Sequence, residues 1–367
     1  MINHRTSRWL VLPAILILAL VFAGCTGVTK PEGWAGPTLA EQTLLVAHKS
    51  KLYALDSTSF EARWIFPSST GTEGIKPRAL YGTPAIENGV VYIPTYSNKL
   101  YAVELATGKL KWTSPFKAGD TLVGGVLASA GKVYFGSSDG SVYAVDGETG
   151  EKDWSFSTGD EVWSTPVLSG TTLFITSLDG RLYALDSASG EELWSYETAA
   201  GVAATPVLGD ADGLIYVGGF DARLRAIDVV THEQRWVAKA TNWFWATPLL
   251  ANGVVYAGGL DGKVYALDAD SGQAHWDRPF KTNAEIRAAP VMAGNVLVVV
   301  DRGGHVYALD PQDGTMAPPQ ELELGADVLA DPFVLPSGEV LIATTGGELV
   351  RIDPAKLEIV SRTKLGS

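Results

Sequence analysis

The chain has little of what most enzymatic chemistry uses. It holds one cysteine, Cys25, which excludes an intramolecular disulfide and any cluster of thiolate ligands. Its five histidines (His4, His48, His232, His275 and His305) nowhere stand at metal-ligand spacing. Basic residues are outnumbered 28 to 41, for a formal charge of −13. Phosphate backbones repel so acidic a chain, so nucleic acid is not an expected partner. Beyond the first 25 residues no run of ten or more carries helical periodicity. The single long apolar run, Trp9 to Ala23, falls short of the ~20 residues that span a bilayer and is interrupted by Pro13.

What is present begins with an address. His4, Arg5 and Arg8 precede the apolar run, and Ala23-Gly24 lead into Cys25, so residues 1–24 read as an export signal. Phe22-Ala23-Gly24-Cys25 resembles a bacterial lipobox, with Phe22 where Leu is usual. That resemblance implies lipidation of Cys25 and a membrane anchor, with residues 25–35 as a polar tether. The alternative is an ordinary secretory signal that contains a cysteine. Thr26 after the cysteine, rather than Asp, fits sorting to an outer membrane; in a single-membrane cell the anchor would sit on the outer face.

From residue 36 to 367 one unit repeats. Tyrosines recur at Tyr53, Tyr101, Tyr143, Tyr183, Tyr265 and Tyr307, with Arg225 and Val350 in the fifth and eighth copies. Tryptophans recur at Trp64, Trp112, Trp154, Trp194, Trp236 and Trp276, and Thr-Pro pairs such as Thr165-Pro166 and Thr205-Pro206 precede the tyrosine stretches. Each copy divides into four short β-rich runs. In the fourth these are Thr165 to Leu168, Thr172 to Thr176, Arg181 to Asp186 and Glu192 to Glu197. Asn88-Gly89 and Asn252-Gly253, and likewise Asp139-Gly140, Asp179-Gly180 and Asp261-Gly262, are expected to supply the positive-φ dipeptides of tight hairpins. A repeated four-stranded unit of roughly 40 residues is a propeller blade. The expected fold is an all-β, eight-bladed β-propeller; an open solenoid is the alternative, and would need capping ends.

The run Ala144, Asp146, Thr149, Gly150, Trp154 is similar to the tryptophan-docking motif of quinoprotein-like (PQQ-repeat) propellers. The motif recurs through Ala184 to Trp194 and Ala266 to Trp276, with Ser for Thr. Glu104 replaces its Asp in the second copy and His232 its Gly in the fifth, and copies one, seven and eight are degenerate. The resemblance implies that the six tryptophans are structural, each lying on the neighbouring blade's turn while the Asp closes its own. Asp268-Ala269-Asp270 and Asp210-Ala211-Asp212-Gly213 look like scraps of a calcium loop but lack the full ligand spacing, so no metal is expected.

Quinoprotein dehydrogenases share such a ring, and they resemble one another in an adjacent cysteine pair and in long insertions that build a metal-bound cofactor site. This chain has neither; its one insertion, near Ser68 to Lys76, carries no acid–base pair. No cofactor and no catalytic residue are therefore expected. A single exported propeller resembles the BamB-type lipoprotein family, which implies a monomeric, non-catalytic scaffold that binds membrane proteins during outer-membrane β-barrel assembly. A small-ligand or cell-wall-fragment sensor is the alternative, and a quinone enzyme the remaining one. The expected partner face joins Tyr81, Trp163, Trp243, Phe244 and Trp245 to a basic pair, Arg287 and Arg302; the alternative is that these aromatics plug the axial channel.

Overall fold

Each repeat is a run of alternating β-branched and aromatic residues broken by turn signals, too short and too two-faced to bury itself alone. In the computed structural model, which describes residues 33, 35–68, 74–209, 213–316 and 321–366, the solution is radial stacking. Eight four-stranded antiparallel sheets follow one another along the chain, over residues 38–66, 85–117, 126–157, 167–197, 207–239, 249–281, 291–323 and 333–364, here blades 1 to 8. No helix is present among the described residues. Blade 4 shows the plan, with strands Val167–Ser169, Thr172–Ser177, Arg181–Asp186 and Glu192–Glu197. The outermost strand slips register by one residue between Ala184 and Leu185, and the same bulge recurs in blades 1, 3, 5 and 8.

The core is divided among the seams between blades. The buried apolar residues fall into eight clusters, each shared by two neighbouring blades. The cluster that closes the ring packs Leu44, Val46 and Tyr53 of blade 1 against Leu341, Leu349 and Leu365 of blade 8. The Tyr53 hydroxyl also donates to the Gly366 carbonyl. This seam closes the ring and rules out the open solenoid.

Hairpin chemistry is mixed. Asn88-Gly89 and Asn252-Gly253 place both residues at positive φ, as expected. In Asp139-Gly140, Asp179-Gly180 and Asp261-Gly262 only the glycine does so. Those aspartates act through their side chains: Asp179 Oδ1 accepts the Arg181 N–H at 3.0 Å, and Oδ2 accepts the Tyr183 hydroxyl at 2.6 Å. The signal 1–24, Cys25 and most of the tether lie outside the described residues, as do 69–73 of the insertion and 210–212 of the second calcium-like scrap. Among the described residues no helix is long and apolar enough to cross a membrane, and no three His, Cys, Asp or Glu side chains gather as a metal site.

Candidate functional site

The tryptophans cement the seams. The Trp154 indole lies against Gly190 of blade 4, where an added Cβ would come within 2.5 Å of the ring, and its Nε1–H donates to Ser187 O at 3.1 Å. Trp64, Trp112, Trp236 and Trp276 repeat this on Gly108, Gly150, Gly272 and Gly314. Their Nε1–H groups donate to Leu105, Gly147, Ala269 and Pro311 carbonyls at 2.7 to 3.1 Å. Asp146 and Asp186 close the receiving turns by accepting N–H groups at 2.8 to 3.0 Å. Trp194 instead stacks on His232 at 4.6 Å, because His232 stands at positive φ where the motif has glycine. One element escapes a reading of the motif: Tyr92, Tyr134, Tyr216 and Tyr256 donate to the same carbonyls as the neighbouring indoles.

The segment leading into each inner strand runs along one face of the ring, pinned between hairpins. The Val162 N–H donates to Ser137 O of blade 3, and Glu161 O accepts the Leu178 N–H of blade 4. In such an extended segment alternate residues point opposite ways. Leu80, Leu122, Val162, Val202, Ile286 and Val328 turn inward between blades, and Phe244 belongs to this series. It is 1% exposed, packed in the blade 5–6 seam with its ring 5.5 Å from Tyr265. Phe244 is therefore a core residue, and its expected place on the partner face is corrected.

The flanking residues do reach that face. Trp163 of blade 4 and Trp245 of blade 6 meet at 6.4 Å across Ala203 of blade 5. Phe220, from the blade 5 hairpin, stacks on both Trp245 (5.6 Å) and Trp243 (4.7 Å). The result is a continuous half-buried arc of four aromatic rings, of which Phe220 was not foreseen. Trp163 is locked by Nε1–H bonds to Glu161 Oε2 (2.6 Å) and Ser138 Oγ (3.1 Å). Tyr81 stands apart from the arc, edge-on to Tyr96 at 5.0 Å.

Arg287 and Arg302 do come together, but on a shared carboxylate, Glu285 Oε1, at 2.8 and 3.0 Å. Asp327 approaches Arg302 at 3.7 Å, and Arg287 lies over the Trp245 ring at 5.6 Å. The expected basic spot is thus an ion-paired border to the arc.

Beneath the arc a cavity of about 110 Å³ occupies the ring axis. Trp163, Trp245, Ala203, Leu329 and Val123 form its collar, and Thr83, Thr165, Thr205, Thr247 and Asp331 the layer below. The lower layer is stitched blade to blade: Gly125 N–H donates to Thr165 Oγ1, and Thr165 N–H to Thr205 Oγ1, both at 3.1 Å. Asp331 takes the threonine position in blade 8 and accepts the Ala289 N–H at 2.6 Å. Its position inside the ring raises its carboxyl above the usual range, opposed by that N–H, although the residue is accessible from the channel.

A tricyclic quinone bearing three carboxylates does not fit these residues. The cavity lies below the ~300 Å³ typical of cofactor-sized pockets; Arg287 is the one cation in its lining, and Asp331 would oppose an anion.

Comparison with known proteins agrees on the repeat. The crystal structure of BamB from Moraxella catarrhalis superposes with a TM-score of 0.72 at 19% identity, over 85% of this chain and 91% of that one, a likeness of fold. The dehydrogenase subunit of the quinone alcohol dehydrogenase of Gluconobacter oxydans (strain 621H) is 42% identical over 90 residues, 22% of this chain and 12% of that protein. The serine/threonine-protein kinase AfsK of Streptomyces griseus is 29% identical over 140 residues, 36% of this chain and 17% of that protein. The chain therefore spans only a small part of the curated relatives it matches, and chains of different activity share the repeat. Residues 48–169, 139–243 and 241–356 each match the family described as outer membrane protein assembly factor BamB, and the chain belongs to that family.

Proposed function

We propose that this chain is a non-catalytic scaffold, anchored to the cell envelope through a lipidated Cys25, that holds membrane proteins against its aromatic face during assembly of outer-membrane β-barrels. The observation that carries the reading is the arc Trp163–Trp245–Phe220–Trp243, a preorganised, half-buried aromatic surface on the rim of the ring. Membership of the BamB family supports it. Rigid aromatic rings beside arginine are the usual anchors of protein interfaces, and ion pairs at the border keep water from the edge. Nothing in the face positions an acid–base pair around a reacting atom, and the quinone does not fit the axis.

The test is capture of β-barrel assembly proteins from detergent-solubilised membranes by the immobilised full-length lipoprotein. Trp243→Ala combined with Arg287→Ala should reduce capture at least about tenfold without changing the melting temperature. Undiminished capture would remove the face from the interface. Separately, Cys25→Ser should release the protein from the membrane fraction; retention there would refute the anchor.

A further inference from the structure

The axial cavity is amphipathic along its depth. The collar of Trp163, Trp245, Ala203, Leu329 and Val123 is apolar, with Tyr81 and Arg287 completing it, whereas two residues further along each segment leading into an inner strand the wall is threonine hydroxyls and Asp331. Asp331 is the only carboxylate in that lining. It has room beside it, since Gly36 of blade 1 offers no side chain; a Cβ there would stand 3.8 Å from that of Asp331. The nearest guanidinium lining the cavity, Arg287, is already engaged with Glu285 and lies over Trp245. A carboxylate that faces the cavity with no ion-pair partner, below a largely apolar collar, is complementary to a cation carried on an alkyl stem.

We propose that the axial cavity is a binding site for a primary ammonium group on a short alkyl chain, with the ammonium at Asp331 and the methylenes beneath the Trp163 and Trp245 indoles. The indole faces of the collar favour a cationic end as it passes. A divalent metal ion is the poorer fit, because it would need several anionic oxygens where the ring supplies one carboxylate. The same chemistry has two sources, a free alkylamine or a lysine side chain of a bound protein. The site stands apart from the scaffold reading, since small probes report on it with no partner present.

The experiment is calorimetric titration of the full-length lipoprotein in detergent with n-pentylammonium chloride, N-acetyl-lysine methylamide, 1-pentanol and calcium chloride. The expected result is saturable one-to-one binding of pentylammonium and none of 1-pentanol. Binding should weaken at least tenfold in Asp331→Thr, which restores the residue that blades 2, 4, 5 and 6 carry, and in Ala203→Trp, which fills the collar. Both variants should melt as the wild type does. Binding of acetyl-lysine methylamide as well would assign the site to lysine side chains; its failure beside pentylammonium binding would assign it to free amines. Absence of pentylammonium binding, equal affinity in Asp331→Thr, or saturation by calcium alone would overturn the proposal.

Discussion

Trp163 and Trp245, 82 residues apart in sequence and on blades that do not touch as neighbours, meet over the axis at 6.4 Å because the blade between them carries only Ala203 there. The same indoles roof the axial cavity and continue through Phe220 to Trp243 on the rim.

Neighbouring residues on this segment should separate stability from binding. Phe244→Ala removes a fully buried ring from the blade 5–6 seam and should cost about 3–5 kcal/mol in urea unfolding. Trp243→Ala, half-buried on the rim, should cost about 1 kcal/mol or less while weakening partner capture. Equal losses of stability would contradict the placement of the two rings.

The docking ladder predicts a graded series. Trp154→Ala leaves a buried hole and removes one of the two donors to the Ser187 carbonyl, the Tyr134 hydroxyl remaining, and should cost about 3–5 kcal/mol. Trp194→Ala should cost about half as much, because that indole is partly exposed and rests on His232 instead of a glycine turn. Denaturant midpoints measured at constant slope decide this.

Blade 5 replaces the usual Tyr–Asp pair with Arg225–Asp221, whose side chains are 5% and 8% exposed. Arg225→Ala leaves the Asp221 carboxylate buried with only Arg223, and should cost about 3 kcal/mol. Arg225→Tyr rebuilds the pairing seen between Tyr183 and Asp179, and should stay within about 1 kcal/mol of wild type. A Tyr variant as damaged as the Ala variant would show that the charge itself is required.

The turn aspartates should make the ring acid-sensitive. The amide N–H groups of Thr149, Ser189 and Thr231 hold the carboxyls of Asp146, Asp186 and Asp228 below the usual carboxylate range. A depressed native pKa adds stability above the unfolded value of about 3.9, and that stability is lost as pH falls through the native value. Asp186→Ala should therefore melt below wild type at pH 6, with the gap narrowing below about pH 4. A gap that widens in acid would reverse the sign.

The ring was readable because its determinants are local and repeated. Tyr183 and Trp194 stand at fixed offsets from their turns, and a unit repeated with that spacing admits few folds. The face was read only in part. As a run of aromatics Trp243-Phe244-Trp245 reads as three rim residues, whereas the repeat aligns Phe244 with the inward-facing Val162, Val202 and Ile286. Phe220 lies at a hairpin position held by Ser138 and Leu178 elsewhere, so its stacking depends on a neighbouring blade. The pairing of Glu285 with both arginines, and the isolation of Asp331 inside the axis, are likewise relations between blades that linear spacing does not encode.

The central claim, that the aromatic face holds a membrane protein during β-barrel assembly, is tested most directly by a photoreactive phenylalanine analogue at position 220 in intact cells. Irradiation should produce an adduct with a β-barrel assembly protein, while the same group at position 230, in the 78% exposed turn on the opposite face, should not. Adducts from position 230 alone, or none from position 220 in cells making normal amounts of the protein, would contradict the account.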